Sequence, residues 1–248
     1  MFRHDGLTVR WLGYATTRAS DGETTVYTDP GRYGVLEGTW EPPAPGAAHP
    51  SGPPYDARDG DVVLVTHDHH WDPDGVRRVA AADAALVVYD GVDAARAGRE
   101  PPPEALPYDV VRVGERETTT VRGVTVTTVP AYNDPDGPHV RESGDPVHPR
   151  GFGVGVRFVL DGTPVYWTGD SDRVPEQDGL DVSVLLPTIC GDVAMDEAGA
   201  LDLVRALAPD VVCPVHYDTL GLLRADSGAF ARDVAKAGVP VVLDEGWA

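Results

Sequence analysis

The sequence predicts an α/β fold in which two β-sheets face each other and helices pack outside them. Three observations carry this. Between residues 110 and 168 strand follows strand with connections of turn length, and the last third alternates strands with helices. A chain of 248 residues with globular apolar content also suits one large domain spanning 1–248. An eight-fold β/α barrel would need a helix after every strand, which the strand-rich middle excludes.

Taken in order, the apolar patterning predicts strands at residues 7–12 and 24–28, joined by a turn at Asp21-Gly22. From Trp40 to Gly60 the chain is rich in proline, glycine and alanine, a composition that cannot build a core and suits a lid or binding loop. Residues 62–65, Val-Val-Leu-Val, are short and branched enough for a strand buried on both faces. Pro73 opens a helix over 73–82, and 85–89 returns as a strand. Strands are expected at 110–113, 118–121, 124–129, 152–160 and 164–168. Strands at 182–186, 211–214 and 239–243 then alternate with helices at 196–207 and 226–237.

Charge sets further bounds. Asp and Glu total 40 against 20 Lys and Arg, aspartate (29) outnumbers glutamate (11), and Lys236 is the one lysine. A surface this anionic repels itself unless salt screens it, which points to a salt-rich cytoplasm such as that of a halophilic archaeon. No basic stripe exists to hold phosphate backbones, so nucleic acid is not an expected partner. The polar start, Met-Phe-Arg-His-Asp-Gly, lacks a signal-peptide core and no apolar run has membrane length, so a cytoplasmic protein with no membrane partner is expected. Cys190 and Cys213 sit in apolar strand-like surroundings and read as packing residues, with Cys213 as a thiolate ligand the minority alternative.

The chemistry concentrates in His67-Asp68-His69-His70, directly after the buried strand. Imidazole is the commonest neutral ligand of zinc and its neighbours, and His-x-His at a strand end can converge on one ion. Three further apolar runs end on metal-capable or polar residues: Asp170 after Gly169, His216 after Val215, and Asn133 after Tyr132, with His148 closing the loop that follows. Histidines and an aspartate arriving from several strand ends form the ligand list of a hydrolytic metal centre.

These strings, with Trp11-Leu12-Gly13, Tyr27-Thr28-Asp29-Pro30, Val129 to Asn133, Tyr166 to Asp172, Leu186-Pro187 with Met195-Asp196, and Pro214 to Tyr217, make the chain similar to the metallo-β-lactamase-fold hydrolases. It most resembles the branch containing ascorbate-6-phosphate lactonase. The resemblance implies a four-layer αββα sandwich with the metals at one edge of the paired sheets. It implies a first ion on His67 and His69, completed by His148, with Asp170 bridging to a second ion that includes His216. Zinc is the expected metal, as one or two ions, with Mn or Fe as alternatives.

One departure from the family string matters. Thr-His-x-His-x-Asp-His is usual, whereas here His69 is followed by His70-Trp71-Asp72-Pro73. Either Trp71 and Asp72 replace the ligand pair, or a two-residue deletion puts His70 in the last histidine's place. The second ion is then weakly held, absent, or recaptured by His70 and Asp72. Tyr14 also stands where a His often follows the glycine, and Trp167 where a His is common.

The mechanism implied is attack by a metal-bound hydroxide on a small ester, lactone or phosphoester, with Asp170 essential and Asp72 or Asp68 taking a proton. Specificity would lie in the 40–60 and 133–150 loops, where Arg58, Arg141 or Arg150 could meet an anionic substrate. A reading of another class keeps the fold and one ion but makes the protein a degenerate binding or regulatory module, as the altered 69–72 segment suggests.

Overall fold

The computed structural model describes residues 1–41, 51–221 and 223–246. Seven strands lie side by side in chain order in the first sheet: β1 (Phe2–His4), β2 (Leu7–Trp11), β3 (Thr17–Ser20), β4 (Thr25–Thr28), β5 (Gly60–Val65), β6 (Ala80–Tyr89) and β7 (Asp109–Val113). β1 to β4 are antiparallel, and β4 to β7 are parallel. The second sheet repeats this plan. β8 (Thr118–Val121), β9 (Val124–Ala131), β10 (Gly153–Leu160) and β11 (Thr163–Trp167) are antiparallel, and β12 (Val184–Leu186) and β13 (Val211–Val212) continue in parallel.

One hydrophobic cluster runs through both sheets. Val62, Val63 and Leu64 of β5 are fully buried, as expected of a parallel strand covered on both faces. Four helices accompany the parallel segments: α1 (Pro73–Val79), α2 (Ala94–Ala97), α3 (Glu197–Leu207) and α4 (Ser227–Lys236). α3 buries Ala200, Leu203 and Val204 while α4 buries Phe230 and Val234, the i, i+3, i+4 stripe of a helix lying on a core. No helix among the described residues is long and apolar enough to cross a membrane. The predicted two-sheet sandwich is therefore the fold observed.

The departures from expectation have local causes. β1 and β3 are short and carry too little apolar alternation to be read as strands. The turn at Asp21 and Gly22 is present, with Asp21 Oδ1 accepting from the Glu23 and Thr24 amides, but it joins β3 to β4. Ala80 to Ala82, helix formers by propensity, instead open β6, where Ala80 pairs with Gly60. Residues 239–243 make a single bridge, Val212 to Val241, rather than a strand. Of the 40–60 loop, residues 42–50 lie outside the described residues.

The aspartate excess has a structural use. All four helices carry an aspartate N-cap, Asp72, Asp93, Asp196 and Asp226, whose carboxylates accept amide hydrogens of the first turn and lie at the positive end of the helix dipole. Asp226→Ala removes the bond to the Ala229 amide and is expected to cost about 1 kcal/mol. Thermal melts should show Tm lower by roughly 2–4 °C, and an unchanged Tm would mean the cap contributes nothing.

Candidate metal centre

The site forms where strand ends from both sheets meet. β5 ends at Val65, and the chain turns through a 3-10 helix over Asp68–His70. Side chains three residues apart eclipse in a 3-10 turn, so His67 and His70 fall on one side with ring centroids 4.2 Å apart. Asp68, between them in sequence, is turned away: it pairs with Arg96 and accepts the Asp93 amide at 2.7 Å. His67 also bridges to Gly153 of β10. A Cβ on Gly153 would come within 2.9 Å of the His67 Cβ, so only glycine allows the two sheets to approach this closely.

Asp170 follows β11, His216 follows β13, and His148 hangs from the loop after β9. They converge with the histidine turn into two groups of metal-capable atoms: His67, His69, His148 and Asp170, and then His70, Asp170 and His216. Asp170 is common to both. Its carboxylate stands 3.5 Å from both His67 and His148, 3.7 Å from His70 and 3.2 Å from His216. His69 Nδ1 is 3.1 Å from His148 Nε2, and the Nε2 atoms of His70 and His216 are 3.2 Å apart. Two ligands bonded at about 2.1 Å to one tetrahedral ion stand about 3.4 Å apart, which is the spacing of this set.

The outer nitrogens decide what the inner ones offer. His67 Nδ1 is 3.0 Å from Thr66 Oγ1, a hydroxyl already donating to Asp29, so the imidazole is the donor there. His70 Nδ1 donates to Asp29 Oδ2 at 3.0 Å, and His148 Nδ1 to the Val193 carbonyl at 3.1 Å. With those hydrogens placed outward, all three neutral rings turn an Nε2 lone pair inward. His67 Nε2 and Asp170 Oδ1 are buried with no hydrogen-bond partner. Lone pairs and a carboxylate facing one another across about 3.5 Å repel unless a cation lies among them, so the residues present fit bound divalent metal.

Electrostatics agree with that arrangement. Burial and the neighbouring imidazoles of His67 and His148 hold His69 down at about 2, and burial holds His148 at about 4, leaving both neutral donors. Burial opposes ionisation of Asp170, while positive charge on the surrounding imidazoles, His216 first and then His70 and His67, would hold its carboxyl well below the usual range; where those rings are neutral ligands, that charge falls to the bound cation.

The structure brings together His67, His69, His70, His148, Asp170 and His216. It does not bring Asp72 or Asp68 with them. Asp72 Oδ1 caps α1 through the Asp74 and Gly75 amides, and Oδ2 accepts the Arg32 and Tyr33 amides at 2.9 and 3.0 Å. A Cβ on Gly31 would stand 2.3 Å from the Asp72 Cβ, so this joint also requires glycine. Both carboxylates are thus consumed structurally and serve neither as ligand nor as proton acceptor. Cys190 and Cys213 are buried free thiols outside both groups. Arg58 pairs with Asp56, Arg150 with Glu176, and Arg141 donates to the Val147 carbonyl.

Several residues that shape the site had no role assigned from sequence. Asp29, fully buried, accepts from Thr66 N, Thr66 Oγ1, His70 Nδ1 and Trp167 Nε1. Tyr14 sets its ring edge against His70 and His216, at 5.2 and 4.7 Å. Asp29, Tyr14 and His216 all adopt left-handed backbone, with φ of 41°, 49° and 61°, the kind of local strain that collects at functional sites. Asn133 Oδ1 accepts the His148 amide at 2.7 Å, and Asn133 in turn donates to Asp172. His139 donates from Nδ1 to Asp172 and from Nε2 to the Gly191 carbonyl, at 2.6 and 2.9 Å. Both acceptors lack hydrogens, so the pair of bonds requires an imidazolium.

The chain is similar to known proteins in sequence and in fold. Residues 8–216 match the beta-lactamase superfamily domain family. A UPF0173 metal-dependent hydrolase of Thermus thermophilus is 30% identical, covering 93% of this chain and 92% of that protein. Among solved structures, a metallo hydrolase of Ignicoccus hospitalis superposes with TM-score 0.67 at 20% identity, covering 98% and 96% of the two chains. An isothiocyanate hydrolase from Delia radicum gut bacteria gives TM-score 0.68 at 17% identity, covering 95% and 96%.

Two measurements follow from the geometry. Asp29→Asn weakens the hydrogen bond made directly to His70 and, through Thr66, the one behind His67, and should lower the affinity of the His70 group about 10- to 100-fold; metal titration showing no loss there would contradict it. The His139 pKa is raised, chiefly by its bond to Asp172. Its stabilisation is then complete below the ordinary imidazole value near 6.5 and fades as pH rises through the raised value. Thermal melts from pH 6 to 9 should show a decline in wild type that His139→Ala lacks.

Proposed function

Because the chain belongs to the beta-lactamase superfamily and, within it, to the UPF0173 metal-dependent hydrolases, we propose that this enzyme hydrolyses a small ester, lactone or phosphoester at two ions held around Asp170. His67, His69, His148 and Asp170 would hold the first ion, and His70, His216 and Asp170 the second. The observation that carries this reading is the single buried carboxylate shared by two groups of inward-facing imidazoles. Zinc suits the nitrogen-rich donor set, with Mn or Fe as alternatives. A bound divalent ion supplies a Lewis acid and a water acidified to a pKa of about 7.

The chain's own residues do the remaining work. Asp29 holds the His70 ring with its lone pair inward, and Thr66 does the same for His67. Asn133 and Asp172 position His148. Val193 and Phe152 lie beside the first group, where the Phe152 ring stands 5.0 Å from His69 and 5.6 Å from His67 and lends that flank an apolar surface. Asp170 is the one residue whose loss unseats both groups together.

The named hydrolases leave the substrate open, and the isothiocyanate enzyme shows that one relative in fold acts on a different electrophilic carbon. The acid excess motivates assays in molar KCl, in keeping with the salt-rich cytoplasm inferred from composition. The test is a panel of lactones, esters and phosphoesters supplied with Zn, Mn or Fe. Asp170→Ala should lose turnover by at least about a thousandfold, together with the metal, at unchanged fold by circular dichroism. Retained turnover in that variant would refute the site; inactivity of wild type on every class would favour the binding-module alternative.

A further inference from the structure

An arm of polar residues reaches the second group of ligands, whereas Phe152 lies against the first. Tyr14 is buried edge-on against His70 and His216, and its hydroxyl bonds to that of Tyr33. Tyr33 is only half-buried, and its backbone is fixed by Asp72. The Arg99 guanidinium carbon stands 3.8 Å from the centre of the Tyr33 ring. From Nη1, Arg99 donates to the His69 and Trp71 carbonyls at 2.6 and 2.9 Å. This cation is therefore bound to the ligand-bearing turn itself.

A count of hydrogens gives the arm a purpose. Tyr14 and Tyr33 carry two hydroxyl hydrogens, and their mutual bond uses one. The second has no acceptor among the described residues. Arg99 reaches the two carbonyls and the Tyr33 side chain, and among the described residues no carboxylate pairs with it, whereas Arg58, Arg96 and Arg150 are each taken up by a carboxylate. A chain of net charge −20 repels anions at a distance. An arginine left without a carboxylate beside its ligand turn is a specific exception to that field.

We propose that Tyr33 and Arg99, backed by Tyr14, grip an oxyanion of the substrate, a carboxylate or a phosphate, so that the substrate is a small anionic molecule with its scissile bond beside Asp170. The scissile bond rests on the hydrolase reading above; the grip does not. Tyr33 gives one hydroxyl hydrogen and Arg99 its charge and remaining N–H groups, the donor set that suits an oxyanion. Arg99 is a binding residue for the substrate and, through His69 and Trp71, a positioning residue for the ligand turn.

Calorimetry on the metal-loaded protein tests this with three slowly reacting anilides: neutral acetanilide, N-phenylsuccinamate and its phosphonate counterpart. Wild type should bind one or both anions about tenfold or more tightly than acetanilide, and the anion that gains identifies the head group. In Tyr33→Phe, which keeps the ring under the guanidinium, and in Arg99→Lys, the margin should shrink about tenfold, the scale of losing a charge-assisted hydrogen bond. An anion bound solely through metal would keep its margin in both variants. Equal binding of all three by wild type, or an intact margin in Tyr33→Phe at unchanged Tm, would overturn the proposal. Binding with the expected margin but no turnover of any ester would refute hydrolysis and leave the grip standing.

Discussion

The arrangement depends on one buried charge. Asp170 lies between two groups of imidazoles and carries its negative charge where water scarcely reaches it. A buried carboxylate is tolerable only with compensation, and the four rings around it offer lone pairs as well as hydrogens. The anchors behind those rings settle the matter. Because Thr66, Asp29 and the Val193 carbonyl claim the outer hydrogens of His67, His70 and His148, those three rings bring lone pairs to the carboxylate, and among the four only His216, whose Nδ1 has no partner, is free to donate to it; a cation supplies the remaining compensation. Remove any one anchor and its ring can flip, donate to Asp170, and close the site as an ordinary hydrogen-bonded cluster.

Sheet topology explains why these residues meet. Each sheet runs antiparallel through four strands and then turns parallel. Ligand sites in α/β folds favour the carboxyl ends of strands where the order switches. In the first sheet the switch delivers Asp29 from β4 and His67 from β5; in the second it delivers Asp170 from β11 and His216 beyond β13. The two aspartates leave the fourth strand of their respective sheets, one becoming a shared ligand and the other a support for His70. The left-handed conformations of Tyr14, Asp29 and His216 arise at these exits, where the chain must reverse sharply while keeping its side chain on the site.

Residues that announce themselves by chemistry were legible in the sequence. His67, His69, Asp170 and His216 each follow an apolar run and His148 was marked by the family resemblance, and the structure gathers them. Asp72 misled because a carboxylate near histidines reads equally as a ligand or as a helix N-cap; the following Pro73 favours the cap, and that is its place. Asp68 was lost to the 3-10 turn, whose direction no spacing rule gives. Asp29, Tyr14 and Arg99 act through tertiary contacts with residues 41, 56 and 30 positions away, so no local pattern marks them. The same limit hid β1 and β3, which pair only because β2 and β4 are already laid down.

The change at residues 69–72 alters the charge of the centre more than its geometry. Where the family string supplies an aspartate and a histidine to the second ion, this chain supplies His70 without the aspartate and sets the carboxylate of Asp29 one bond further back. On the reading proposed for the site, two divalent ions would share one direct carboxylate, Asp170, and part of a second. The centre then holds more positive charge than a site with a second aspartate ligand, while the rest of the molecule is strongly anionic. Such a centre holds its second ion less tightly and draws negative charge from elsewhere. The oxyanion of a substrate is a ready source, and the face of the second group that would receive it is the one bordered by Tyr14. A ligand set short of one carboxylate and an arm of donors beside it would thus complement each other: the oxyanion gripped by Tyr33 and Arg99 would bring to the second group the negative charge that its own ligands lack.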